Sequence, residues 1–358
     1  MYLSGLIHRD RLFDVASRWL ADRVHRDDGR ILTEIFAFER AITSPTVRSL
    51  VADLARTIRP GDLRLQRVTS KDDVRRAIVS AVEHPSPRVE QLLAHYREFP
   101  EEFFPMTPDH MSLVTHGDGT LAGMVRRKRI RRIADKVSRR VADQLADEID
   151  AAARSLAAAR AGSVGVPLDK MVSTSQQMID EFASAERIVA DRIRTGELVF
   201  DPDQVRVDDV IGVKILGTPS ELARIEAVLD DRDGTFACES EVHEGSYAGT
   251  HYLVDLELPP LEQTIAGFQG VDWSFAEGRG LSAFHLEESL IDYLETASTS
   301  FRVELILTTL EDLVESEFGR CIHEVRILEQ RDRSTYSGRI AQNASSIMEY
   351  MLQLAISP

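Results

Sequence analysis

Apolar positions recur every three or four residues through most of the stretch from Arg9 to about residue 160, and this spacing predicts a helical first half. Val47, Leu50, Val51, Leu54 and Ile58 form one such series behind Ser44-Pro45, read as a cap followed by proline at the first helical position. Val74, Ile78, Val79 and Val82 follow the cap signal Ser70-Lys71-Asp72-Asp73. Ser86-Pro87 opens a third series carrying Val89, Leu92, Leu93 and Tyr96. Ile130, Ile133, Val137, Val141, Leu145 and Ile149 predict a long amphipathic helix over about 125–160. It fades at Ala161-Gly162-Ser163-Val164-Gly165-Val166-Pro167, where glycine and proline interrupt the pattern.

Beyond residue 200 the period changes to two. Tyr252, Val254, Leu256 and Leu258 alternate with His251, Leu253, Asp255 and Glu257, and Phe301, Val303, Leu305 and Leu307 alternate with Arg302, Glu304, Ile306 and Thr308. Each set predicts a half-buried strand. A further strand is read at Asp209–Lys214, followed by a helix opened by the capping box Thr218-Pro219-Ser220-Glu221. Asp233-Gly234 marks a turn, and helices are expected over 282–296, after Thr309, and over about 338–356. The pattern therefore divides at residue 164: a helical domain over 1–164 and a domain of strands and helices over 165–358, giving an α+β protein.

Composition changes this picture little, and charge changes it more. A length of 358 residues allows two cores, and 43% hydrophobic with 28% charged residues is ordinary for a folded globular chain. No apolar run approaches the roughly 20 residues that cross a bilayer, and charges at Arg9, Asp10 and Arg11 interrupt the place of a signal peptide, so a cytoplasmic protein without membrane contact is expected. Cys238 and Cys321 stand far apart without metal-site spacing and are read as reduced. The net charge is −16, yet Arg126–Arg140 holds nine basic residues and one acid. That run has three readings: a solvated helix face, an RNA contact, or a partner for acids of its own chain. RNA binding would weaken steeply with salt.

The candidate chemistry lies in the second half. Asp209-Val210-Ile211-Gly212-Val213-Lys214, then Tyr247-Ala248-Gly249-Thr250-His251, then Glu304-Leu305-Ile306-Leu307-Thr308-Thr309 follow one another in an order that resembles the synthetase domain of the RelA/SpoT family. Lys214 stands where that family has arginine. Ala248 and Gly249 replace its arginine and serine, and Ile306 and Thr308 replace its glutamine and arginine. Glu315, Glu317 and His323 loosely match the acidic, histidine-bearing helix that follows. The resemblance implies a mixed-sheet nucleotidyltransferase fold and transfer of pyrophosphate from ATP to a guanosine nucleotide. Asp209 and Glu304 would hold Mg2+, Glu304 would also stand near the acceptor hydroxyl, and Tyr247 would stack on a base with His251 and Lys214 beside the nucleotide. Among Lys170, Arg187, Arg192 and Arg194, which precede the aspartate, none has the family's phosphate-binding spacing, and Glu239, Glu241 and Glu244 precede the tyrosine. Phe268, Trp273 and Phe275 would cover or fill the acceptor pocket. A noncatalytic module that senses a nucleotide or binds a protein through the same fold is the alternative. The N-terminal half lacks a His-Asp dipeptide, so a metal-dependent hydrolase there is not expected.

Overall fold

The computed structural model describes residues 1–103, 106–243, 248–268, 283–319 and 338–354. In chain order its elements are β1 (Tyr2–Leu3), α1 (Arg9–Leu20), α2 (Asp28–Ile58), β2 (Leu63–Ser70), α3 (Lys71–Ala81), α4 (Pro87–Glu98), β3 (Met106–His116), β4 (Leu121–Lys128) and α5 (Ile130–Ser163). There follow α6 (Ser175–Thr195), β5 (Arg206–Val207), β6 (Ile211–Leu216), α7 (Pro219–Asp231), β7 (Thr235–His243), β8 (Gly249–Glu257), α8 (Leu261–Ala266), α9 (Ala283–Glu295), β9 (Ser300–Thr308), α10 (Leu310–Phe318) and α11 (Arg339–Leu354). The protein is thus α+β with a mixed sheet. No described helix is long and apolar enough to cross a membrane.

Several local signals act as their chemistry requires. The hydroxyls of Ser70, Ser86 and Thr309 accept from the first turns of α3, α4 and α10, and Thr218 with Glu221 forms a reciprocal capping box at α7. Gly234 takes a positive φ of 67° in the turn before β7. Ser44-Pro45 behaves differently from the expected helix start, because α2 runs through it. Thr43 and Ser44 donate their hydroxyls to the carbonyls of Glu39 and Arg40 one turn back. Pro45 removes one backbone donor, and α2 continues because its face from Leu32 to Leu54 is buried.

The larger departure is the sheet. Seven strands run in the order β2-β3-β4-β6-β9-β8-β7, antiparallel throughout except for the parallel pair β6–β9. The first half therefore supplies three strands and is not wholly helical. The sheet continues across the boundary expected at residue 164, since β4 pairs directly with β6. At this seam Gly123 is required by close approach: a Cβ there would lie 2.2 Å from the Lys214 carbonyl oxygen.

One face of the sheet carries Val213, Ile215, Val254, Leu256, Val303 and Leu305, which share a core with α2, α5, α6, α9 and α11. On the other face, a smaller core of Val68, Met111, Leu113, Met124 and Leu216 packs under α3, α4 and α10. The N-terminal segment is locked to the large core by a buried carboxylate. Glu39 accepts from the amides of Ile7 and His8 at 3.0 and 2.9 Å and from the Tyr293 hydroxyl at 3.1 Å. Burial dominates its titration and, against these donors and the nearby Arg127, raises its pKa from 4.5 to about 7.

Candidate functional site

Strand alternation decides which side chains can meet. On β4, Arg127 points to the large core and donates to Thr43 Oγ1 at 2.8 Å, so Arg126 and Lys128 project from the opposite face. Arg126, Gly212 and Glu304 lie in one row across β4, β6 and β9. The guanidinium of Arg126 crosses Gly212 and pairs with Glu304. Glycine makes that path, since a Cβ on residue 212 would sit 2.5 Å from Arg126 Nε and 2.9 Å from its Cγ. Two strand spacings, roughly 10 Å, separate the backbones of the partners, and only a long side chain over a bare position can bridge them.

Asp209 lies just before β6 and is held from two sides. Lys128 of β4 pairs with its carboxylate and also donates to its backbone oxygen at 2.8 Å, while Lys136 of α5 donates to Oδ1 at 2.9 Å. Burial alone would raise the Asp209 pKa, but the two ammonium groups outweigh it and hold it far below the usual carboxylate range. Burial and the neighbouring cations lower Lys128 from 10.5 to about 8, with Asp209 opposing them. Glu304 behaves like Asp209: burial pushes it up, Arg126 and the contacting His251 pull it down, and the result is about 2. Its Oε1 lies 3.8 Å from His251 Nδ1, and His251 stacks edge-on with His243, ring centres 4.2 Å apart. The charge on Asp209 is felt at Glu304, so the two carboxylates belong to one electrostatic site.

A second group adjoins them. Lys214 is pushed down to about 8, mainly by burial, and interacts electrostatically with Glu317, Arg126, Lys71 and Glu304. Lys71, at the start of α3, pairs with Glu317 of α10 at 2.5 Å. Further along β9, Arg302 is answered by Asp208 at 3.3 Å and Asp255 at 2.8 Å. Around Asp209 and Glu304 themselves, Arg126, Lys128 and Lys136 give three positive charges against two negative. In a chain of net charge −16 this local excess favours an anionic ligand.

The fold places Asp209, Lys214 and His251 around Glu304. Tyr247 lies outside the described residues, as do Glu244, Trp273, Phe275, Cys321 and His323. Glu317 joins the site, whereas Glu315 pairs with Arg88 on the surface. Arg192 and Arg194 are engaged elsewhere, with Glu148 and Asp191. The cations beside the carboxylates come instead from Arg126, Lys128 and Lys136 of the basic run, of which the first two are strand residues. For these three, contact with acids of the same chain is what the structure contains. Among the described residues no group of three or more histidine, cysteine or acidic side chains is placed to enclose a metal.

No family model matches the chain, and no curated protein matches it. Among solved structures, the small alarmone synthetase 1 from Bacillus subtilis is similar over 47% of this chain and 71% of that one, at 14% identity and a TM-score of 0.20. At that level the similarity adds no weight to either the fold or the chemistry.

Proposed function

We propose that the protein binds a nucleoside triphosphate at the Asp209–Glu304 site and transfers pyrophosphate from it to a guanosine nucleotide or a related acceptor. The observation that carries this reading is the row Arg126–Gly212–Glu304 beside Asp209: two acids 95 positions apart in sequence are each held by cations of one basic run. Phosphoryl chemistry asks little more of a protein than positioning and charge stabilisation. Arg126 offers a planar fork to phosphate oxygens, and Lys128 and Lys136 offer point charges. When phosphates take over these cations, Glu304 and Asp209 are released from their ion pairs. Mg2+ commonly takes one or two protein carboxylates and fills its remaining positions with phosphate and water, and Asp209 and Glu304 are the carboxylates that would supply them here. Bound there by Asp209 and Glu304, the ion would neutralise charge on the phosphates. His251, against Glu304, would hold that carboxylate toward an acceptor hydroxyl.

The direct test is incubation with ATP labelled in its terminal phosphates, Mg2+ and GDP, GTP or tRNA, together with Asp209→Asn and Glu304→Gln. Transfer that both substitutions abolish is expected; absence of transfer to every acceptor refutes the catalytic reading.

A second reading rests on the same ion pairs. Each carboxylate is already neutralised by the chain's own cations, which suits a noncatalytic module that takes up nucleotide phosphates without turnover. Calorimetric titration separates the two: nucleotide binding that is independent of Mg2+ and survives Asp209→Asn, with no transfer, favours the module.

A further inference from the structure

The sheet has two exposed edges among the described residues, β2 and β7, and they are opposites. β2 spans eight residues and carries Arg64 and Arg67 with no acid; β7 spans nine and carries Glu239 and Glu241 with no lysine or arginine. Among the described residues no ion pair or side-chain hydrogen bond engages Arg64, Arg67 or Glu239. Apolar side chains are exposed on the same edges: Leu65 at 40%, Phe236 at 55% and Val242 at 71%. Long exposed edges invite pairing with another strand, and proteins commonly guard them with charge. Here the charges guard selectively. β2 against β2 sets arginine against arginine, and β7 against β7 sets glutamate against glutamate; only β2 against β7 is complementary.

Strand direction and facing also agree. Followed across the sheet, the pairings make β2 and β7 run in opposite directions. A second copy placed alongside, with its sheet facing the same way, therefore meets the first as an antiparallel neighbour. Gln66, Leu113, Met124, Lys214, Ile306, His251 and Glu241 form one row on one face. Arg64, two residues from Gln66, shares that face with Glu239 and Glu241, while Arg67 lies on the opposite face. The register that sets Glu241 opposite Arg64 also sets Val242 opposite Leu63 and Glu239 opposite Gln66, which makes one ion pair beside one apolar pair.

From this complementarity we propose that copies of the chain associate head to tail, the acidic β7 edge of one completing the sheet at the basic β2 edge of the next. Such a contact is heterologous and does not close on itself, so it builds short chains rather than a fixed dimer.

Sedimentation velocity of the whole chain across a concentration series tests it. The wild type is expected to show species larger than one chain that grow with concentration and shrink at high salt. Arg64→Glu with Arg67→Glu, and separately Glu239→Lys with Glu241→Lys, should each sediment as a single copy. An equimolar mixture of the two variants should regain the larger species, because each then meets an edge of opposite sign; that recovery also shows that both variants are folded. A wild type that stays a single copy throughout overturns the proposal. So do assemblies that survive either reversal, and variants that stay apart when mixed.

Discussion

Replacing Glu304 with glutamine should cost stability, and the cost should depend on pH. Glu304 is 17% exposed and Arg126 26%, so the pair is shielded but within reach of water. In the folded protein the Glu304 pKa falls from 4.5 to about 2. At about 1.4 kcal/mol per unit, that difference corresponds to about 3 kcal/mol. Residual solvent contact and repacking of Arg126 reduce the expected loss to about 2 kcal/mol at pH 7. The sign follows from linkage. A carboxylate whose pKa is lowered by folding contributes its full stabilisation above pH 4.5 and loses it as pH falls toward 2. Urea unfolding of wild type and Glu304→Gln at pH 7 and at pH 3 reads the effect. The gap between the proteins should be widest at pH 7 and should narrow at pH 3. A variant as stable as wild type at pH 7, or a gap of equal size at both pH values, refutes the conclusion that the Arg126 pair outweighs the burial of Glu304.

Gly212→Ala should displace Arg126 and cost about 1–3 kcal/mol in urea unfolding. Combined with Glu304→Gln it should cost less than the sum of the two, since both act on one ion pair. Lys136→Met should leave the unfolding free energy within about 1 kcal/mol of wild type, because Lys136 is 31% exposed and Asp209 keeps Lys128. The same variant should weaken nucleotide binding by about tenfold in calorimetry, the loss expected for one charge-assisted phosphate contact. Glu39 gives the opposite pH signature. Its pKa is raised from 4.5 to about 7, so its contribution is full below pH 4.5 and falls by about 3 kcal/mol as pH rises through 7. His8, lowered mainly by burial, works against that slope as pH rises toward 6.5. Comparing Glu39→Gln with wild type from pH 5 to 8 isolates the carboxylate: the variant should gain relative stability as pH rises, and parallel curves contradict the assignment.

How far these features can be read from sequence depends on the range of the interaction. Caps are local, and Ser70, Ser86, Thr218 and Thr309 announce their helices correctly. Strands with one wet face are also local signals, which is why 249–257 and 300–308 stand out. β2 carries the same signal, Leu63 and Leu65 alternating with Arg64 and Gln66, but it lies among strong helical series. β4 reads Leu-Ala-Gly-Met-Val-Arg-Arg-Lys and runs straight into the periodic Ile130, Ile133 and Val137, so its basic end merges with the helix that follows. Ser44-Pro45 is a true local cap signal overruled by burial along α2. In the candidate site, the order of motifs marks Asp209, Lys214, His251 and Glu304. Their cations leave no such trace, because Arg126, Lys128 and Lys136 come from the other half of the chain and only strand pairing brings them near.

The β4–β6 seam also fixes when the site can exist during synthesis. Arg126 and Lys128 are made early and Glu304 some 176 positions later, so a growing chain holds the cations long before the carboxylate that Arg126 pairs with. β9 must enter between β6 and β8 before the row Arg126–Gly212–Glu304 is complete. A nascent or prematurely terminated chain lacking β9 therefore does not carry the Arg126–Glu304 pair. Pairings of such long sequence separation form slowly, so the row is completed late in folding.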